Sequence, residues 1–192
     1  SAASDVYKRQ AYTLVAYDRY VNGSKRLYDM SDVTKRENAD AQAVIDMINQ
    51  IGYVDESSYT AIAEARLMRA CAYFYMVRLW GPVIIIEDND KVVANPIQPL
   101  HREEDVFELV IRDLTFAAEN LPEVPMAKGR VSSWGAKGML AKAYLARSGW
   151  KGGTRDNTDL ELAKKIAADV IENSGIALYD RYEDLSLIHI SE

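Results

Sequence analysis

Apolar residues recur at steps of three and four positions in five segments of the chain, and this spacing places them on one face of a helix. The segments cover residues 40–51, 58–80, 103–121, 133–148 and 159–173. Glycine or proline follows each segment within two residues, as is typical of helix ends. The pattern therefore predicts an all-α fold in which consecutive helices form hairpins.

The second segment is apolar on almost every side over residues 70–80, which read ACAYFYMVRLW. A helix of this kind has to be enclosed by other helices. Gly81 and Pro82 end the segment, and the apolar run at residues 83–86 predicts a short extended insert. The aromatic residues that we expect in the core are Tyr73, Phe74, Tyr75 and Trp80.

The fourth and fifth segments carry features that predict how they pack. Gly135 and Gly138 weaken the fourth segment by about 1 kcal/mol each relative to alanine, so we expect close packing against a neighbouring helix there. In the fifth segment, Thr158 and Glu161 have the spacing of a capping box. The predicted inward face of this segment consists of Ala163, Ile166, Ala167, Val170 and Ile171.

The second and fourth segments resemble each other in sequence. When Gly81 is aligned with Gly149, the offset is 68 residues, which is twice the roughly 34-residue period of tetratricopeptide repeats. The loops between the segments are irregular in length, so the match is partial. It favours tetratricopeptide-like helical hairpins, each of which buries its apolar face on the next.

Charge and composition exclude several classes of protein. The chain has 23 Lys and Arg against 29 Asp and Glu, a net charge of −6, so we expect no nucleic-acid partner. Its one cysteine, Cys71, cannot form a disulfide within the chain and is predicted to be buried and inert. The sequence contains no run of about 18 apolar residues that would span a membrane, and its first ten residues do not resemble a signal peptide.

Candidate catalytic and metal-binding residues are few. The two histidines are His101, in a predicted loop, and His189, near the end of the chain. No zinc-protease, Cys/His metal or nucleophile-elbow motif is present. Residues 129–137 superficially resemble a phosphate-binding loop but have the wrong spacing, and the acidic stretch at residues 87–90 lacks the other residues of an EF-hand. We therefore predict no catalytic residue, no metal site and no cofactor, and hence no enzyme.

Three ordered motifs resemble the SusD/RagB family. Residues 63–86 read AEARLMRACAYFYMVRLWGPVIII, similar to a characteristic family helix followed by an extended apolar run. Residues 104–122 resemble the acidic family helix that ends in leucine and proline, and residues 129–149 resemble its G-R-containing helix. The resemblance is clear over residues 60–185 and weak over residues 11–59.

The resemblance implies a function as well as a fold. Members of this family are non-catalytic, surface-exposed lipoproteins of the Bacteroidota outer membrane. They bind glycans or other nutrients and cap a SusC-like TonB-dependent transporter. Their helical hairpins form the scaffold and part of the surface that faces the transporter.

The ends of this chain depart from the family pattern. Family members are much longer, begin with a lipoprotein signal and a lipidated cysteine, and carry a large C-terminal region that supplies much of the ligand site. We interpret residues 11–185 as a partial SusD-like helical domain. Residues 1–10 and 186–192 have no counterpart in the family pattern and are interpreted as non-native ends.

The tryptophans are the candidates for glycan binding, because aromatic rings stack on the apolar faces of sugars. Trp134 opens the fourth segment and is predicted to pack there. Trp150 lies in the glycine-rich stretch GWKGG, and it is the tryptophan that we expect to be most exposed. It is a weak candidate for ligand binding. A role as a lid over the helix ends is the alternative, and the sequence favours it.

A second function remains open at this stage. A free-standing helical-repeat adaptor would bind a protein or peptide in a groove between its helices. It would form a complete domain without an export signal, whereas the SusD-like interpretation requires a longer protein.

Overall fold

Four helices make up most of the described structure. The computed structural model describes residues 42, 45, 56–87, 98–127, 129–150, 152 and 154–178. The helices are α1 (Glu56–Trp80), α2 (Glu103–Asn120), α3 (Ser133–Ser148) and α4 (Asn157–Asn173). Each agrees with a predicted segment to within two residues at either end, and the all-α prediction is confirmed.

Other predictions fall on residues outside this part of the chain. Of the predicted helix at residues 40–51, only Gln42 and Ile45 are described, and both are helical and buried. The proposed non-native ends at residues 1–10 and 186–192 lie outside the described residues, as do His189 and the acidic residues 88–90.

The helices pack in chain order. α1 lies against α2, α2 against α3, and α3 against α4, while α1 and α3 touch only slightly. An isolated antiparallel bridge between Val83 and His101 brings the end of α1 to the start of α2. At the opposite end, the Arg130 guanidinium pairs with the Glu64 carboxylate of α1, and Ser133 N–H donates to the Pro122 carbonyl at 3.0 Å. Consecutive helices are therefore antiparallel, as the hairpin prediction requires.

The core lies where α1, α2 and α3 meet. The apolar residues that recur at helical spacing along α2 are buried, and Phe107 is buried with them; they are Val106, Leu109, Val110, Leu114 and Ala117. From α1, one line of residues at helical spacing faces these side chains. Its members are Ala63, Leu67, Ala70, Phe74 and Val77.

α1 is enclosed on two sides, and its third side is exposed. Ala65 forms a small buried cluster with Ile45, so a second line of α1 is covered as well. On the remaining face, Met68, Tyr75 and Leu79 are 40%, 56% and 47% exposed. The prediction that Tyr75 belongs to the core is therefore wrong. Successive residues of a helix are rotated by 100°, so Tyr75 points away from the face that carries Phe74. The other three predictions agree with the structure, since Tyr73 and Phe74 are buried and Trp80 packs at the edge of the core.

The outer helices correct two further expectations. A Cβ atom at Gly138 of α3 would meet nothing within 4 Å, and at Gly135 it would meet only the Ser132 hydroxyl at 3.8 Å. The predicted close packing at these glycines is therefore wrong. In α4, Ala163 is buried but Ile171 is 77% exposed. Among the described helices, only α3 packs against α4, so the predicted inward face is covered only in part.

A buried polar network joins α1, α2 and the residues before them. The Arg69 guanidinium donates to both Asp113 carboxylate oxygens, Nε to Oδ2 at 2.7 Å and Nη2 to Oδ1 at 2.8 Å. Asp113 is completely buried and Arg69 almost so. Arg69 also donates to the Gln42 side-chain oxygen, and the Gln42 amide donates to the Glu87 carbonyl at 2.6 Å. Each buried charge thus has a charged or polar partner.

The substitution Asp113→Ala is expected to destabilise the chain by about 3–5 kcal/mol, because it leaves the Arg69 guanidinium buried without its counter-charge. Chemical denaturation followed by circular dichroism measures this loss. The matched control is Glu161→Ala, which removes an exposed pair with Lys164 (3.9 Å) and should leave the midpoint almost unchanged. Removing both charges, in Arg69→Met with Asp113→Leu, should recover much of the loss. Equal effects of Asp113→Ala and Glu161→Ala would contradict the assignment.

Candidate functional site

Four helix termini meet at one end of the described structure. The antiparallel order brings together the last turns of α1 and α3 and the first turns of α2 and α4. His101 N–H donates to the Val83 carbonyl at 2.8 Å, and Asp156 N–H donates to the Ser148 carbonyl at 2.9 Å. This end, which we call the junction end, holds the loop that carries Trp150.

The extended insert after α1 is held by two side chains. The buried Tyr73 hydroxyl accepts from Ile86 N–H at 2.8 Å and lies 3.3 Å from the Ile84 carbonyl. His101 Nδ1 accepts from Ile85 N–H at 3.1 Å. His101 lies between helices, as predicted, but it is half-buried and satisfies a backbone donor instead of facing solvent. The extended insert itself was predicted correctly.

Trp150 packs over the first turns of α2. Its indole Nε1–H donates to the Glu103 carboxylate, and its ring meets Phe107 edge-to-face with 5.2 Å between ring centroids and 65° between ring planes. Such geometry is favourable for aromatic pairs. The side chain is half-buried. This position agrees with the lid role that the sequence favoured, and ligand binding by Trp150 stays a prediction.

Gly81 makes room for the carboxylate that holds Trp150. Its φ is +72°, a backbone conformation that glycine adopts at little cost. A Cβ atom at this position would lie 2.7 Å from Glu103 Oε1. The last turn of α1 therefore determines where the Glu103 carboxylate can sit, and that carboxylate in turn fixes the indole of Trp150.

A bidentate ion pair joins α3 to α4 at the same end. Arg147 donates to Asp159 through Nε at 2.7 Å and Nη2 at 2.6 Å, and this partner raises the pKa of Arg147. Asp156 accepts the N–H groups of Thr158 and Asp159, which lower the pKa of its carboxyl group. Asp156 is thus the N-cap of α4. The prediction that Thr158 is the N-cap of this helix, within a capping box, is wrong. The N-cap is Asp156, two positions earlier, and its carboxylate accepts the free N–H groups.

These side chains surround an open cavity of about 320 Å³, which we call the Trp150 cavity. The α2 side is formed by Glu104, Phe107 and Glu108, and the rest by the end of α3 and the residues leading into α4. The remaining lining residues are Arg147, Ser148, Trp150, Thr154, Arg155, Asp156 and Asp159.

The other residues that the sequence singled out lie away from this cavity. Trp134 is buried, with the Lys137 ammonium 4.1 Å from its ring centroid, as the packing prediction requires. Cys71 is half-buried rather than fully enclosed, because it lies next to the exposed face of α1. Within the described ranges, no group of three or more His, Cys, Asp or Glu residues is arranged to hold a metal ion, and no helix is long and apolar enough to cross a membrane.

Sequence comparison identifies relatives of this helical array. A SusD-like protein of Bacteroides ovatus is 65% identical over 136 residues, which cover 70% of this chain and 25% of that protein. This chain belongs to the SusD-like proteins. It spans about a quarter of the length of the Bacteroides ovatus relative. No family model matches the sequence.

Solved structures share the fold of the described helices. A crystal structure with a xylogluco-oligosaccharide is 55% identical, with a TM-score of 0.79 over 84% of this chain and 32% of the other. A SusD homolog from Bacteroides thetaiotaomicron is 26% identical, with a TM-score of 0.66 over 84% of this chain and 31% of the other.

The substitution Gly81→Ala is expected to displace the Glu103 carboxylate and release the Trp150 indole from its hydrogen bond. It should also cost about 1–3 kcal/mol, because a side chain at this positive φ is strained. Tryptophan fluorescence measures the release as a red shift that disappears when Trp150→Phe is added.

Gly138→Ala is the matched control. The added methyl group meets nothing within 4 Å in a helical position, so it should stabilise α3 by about 1 kcal/mol and leave the fluorescence of Trp150 unchanged. An unshifted emission maximum in Gly81→Ala would contradict the proposed link between Gly81, Glu103 and Trp150.

Proposed function

We propose that this chain is the helical part of a glycan-binding SusD-like protein. The observation that carries the proposal is its 55% identity and TM-score of 0.79 with a structure that contains a xylogluco-oligosaccharide. At this level of identity and TM-score the packing of the helices is closely preserved. The binding is non-covalent capture without catalysis, and xyloglucan-type oligosaccharides are the first ligands to test.

The proposal extends to location and partner. A SusD-like protein of this kind would be held at the outer surface of the outer membrane by a lipid anchor. It would deliver its glycan to a SusC-like TonB-dependent transporter. The negative net charge of −6 suits a protein that handles neutral rather than polyanionic ligands. The alternative of a free-standing helical adaptor is not favoured, because the relatives are SusD-like proteins.

A graft tests the glycan proposal. Residues 56–178 of this chain replace the equivalent helices of the protein that was crystallised with xylogluco-oligosaccharide. Since the helices superpose closely, the graft should bind that oligosaccharide with a Kd within about threefold of the unmodified protein, a change below about 1 kcal/mol. Isothermal titration calorimetry measures the Kd, and the unmodified protein is the control.

The isolated chain should bind the same oligosaccharide more weakly than micromolar, because it covers only 32% of the solved protein. A graft that melts cooperatively but has lost binding by more than about tenfold would count against the glycan proposal. Micromolar binding by the isolated chain would overturn the view that other parts of the protein supply most of the affinity.

The DNA on either side of the reading frame tests the proposed location and partner. We expect a lipoprotein signal with a lipidation cysteine upstream and a TonB-dependent transporter gene next to it. A neighbouring region that encodes neither would contradict the proposed location and partner. It would not affect the glycan proposal, which the calorimetry tests separately.

A further inference from the structure

The Trp150 cavity has the size of a small-molecule site. Its volume of about 320 Å³ lies at the lower end of the roughly 300–1,000 Å³ that such sites span. The cavity is open on one side, so a long ligand could lie across it with only a short stretch inside. It is formed by three helix termini that the core and the Arg147–Asp159 pair hold in place.

The apolar wall of the cavity is held in one orientation. The Trp150 ring packs edge-to-face on Phe107, and its indole N–H is fixed by Glu103. A tryptophan fixed in this way loses little conformational entropy when a ligand stacks on it, and pre-organisation of this kind favours binding. The ligand that suits such a wall has an apolar face of its own, as a pyranose ring has.

The polar groups of the cavity divide into satisfied and unsatisfied sets. Arg147 and Asp159 satisfy each other, and Asp156 caps α4. By contrast, within the described structure the side chains of Glu104, Glu108 and Arg155 form no hydrogen bond or ion pair. The cavity therefore offers two carboxylate acceptors and one guanidinium donor to a ligand that carries hydroxyl groups.

The charge of the cavity selects among such ligands. Among the described residues, four carboxylates and two guanidinium groups line it, so the described lining carries an excess of negative charge. Asp156 stays ionised, because the N–H groups of α4 lower its pKa. A polyanion such as a uronate chain would be repelled, whereas an uncharged sugar would not.

We infer that the Trp150 cavity is a binding subsite for a short stretch of a neutral oligosaccharide. One sugar ring packs on the Trp150 indole. Its hydroxyls donate to Glu104 and Glu108 and accept from Arg155. Glu103 and Gly81 position the indole without contacting the sugar. This inference rests on the proposed glycan-binding function and assigns it a site within the helical part.

The test uses the complete 192-residue chain and the indole N–H resonances of its tryptophans in a ¹⁵N–¹H correlation spectrum. The variant Trp150→Phe identifies the Trp150 resonance. Titration with xylogluco-oligosaccharide should shift this resonance in a saturable way. An oligogalacturonate of equal length should bind at least about tenfold more weakly, since it carries the wrong charge.

Substitutions in the cavity should lower the affinity for the neutral oligosaccharide to different extents. Trp150→Ala should lower the affinity by about tenfold or more, as expected for an aromatic anchor worth more than about 1 kcal/mol. Arg155→Ala should lower it about threefold, and because Arg155 is exposed the variant will retain the fold. The matched control is Tyr75→Ala, which removes an exposed aromatic ring from α1 and should leave the affinity unchanged.

The subsite would be overturned by saturable binding that leaves the Trp150 resonance in place or by tighter binding of the oligogalacturonate. An affinity unaffected by both Trp150→Ala and Arg155→Ala would overturn it as well. A chain that shows no binding at millimolar oligosaccharide would also overturn it. If the graft described above still binds, the failure concerns the subsite alone. If the graft fails as well, the glycan proposal fails with it.

Discussion

The buried fork between Arg69 and Asp113 sets the register of α1 against α2, and the junction end depends on that register. Apolar side chains can slide past one another at a modest cost in free energy, but a buried guanidinium satisfies a buried carboxylate in only one arrangement. With both oxygens of Asp113 engaged, α1 ends where Gly81 lies beneath the Glu103 side chain. The position of Trp150 follows from that of Glu103.

The helices could be predicted from the sequence because their signals are local. Periodicity, terminal glycines and prolines need only the residues within one segment, and all four described helices were found in this way. Burial of a particular face was less predictable. Tyr75 and Ile171 lie in apolar surroundings along the chain but are exposed, because burial depends on which neighbours cover that face. The open space beside Gly138 has the same origin.

The site was predictable only in part. The setting of Trp150 among glycines marked it as a loop residue near helix ends, and it does line the cavity. Its partner Glu103 is 47 positions away in the chain, and the Arg69–Asp113 pair is separated by 44. No local pattern links residues so far apart. The excess of acidic residues at the start of α2 was the one available signal, and it was equally well explained by the helix dipole.

The chain-order packing of the helices has a consequence for how the molecule folds. Each helix docks on its neighbour in sequence, so most contacts are local, and such topologies fold quickly. We expect the α1–α2 pair, with its buried ion pair, to form early, because it needs no other helix to bury Phe74 and Phe107 together. The Trp150 cavity needs the termini of three helices and can appear only when α4 has docked. The Trp150 indole contacts Glu103 and Phe107 of α2, so its environment should become native when α3 docks on α2, before the α4 side of the cavity is in place.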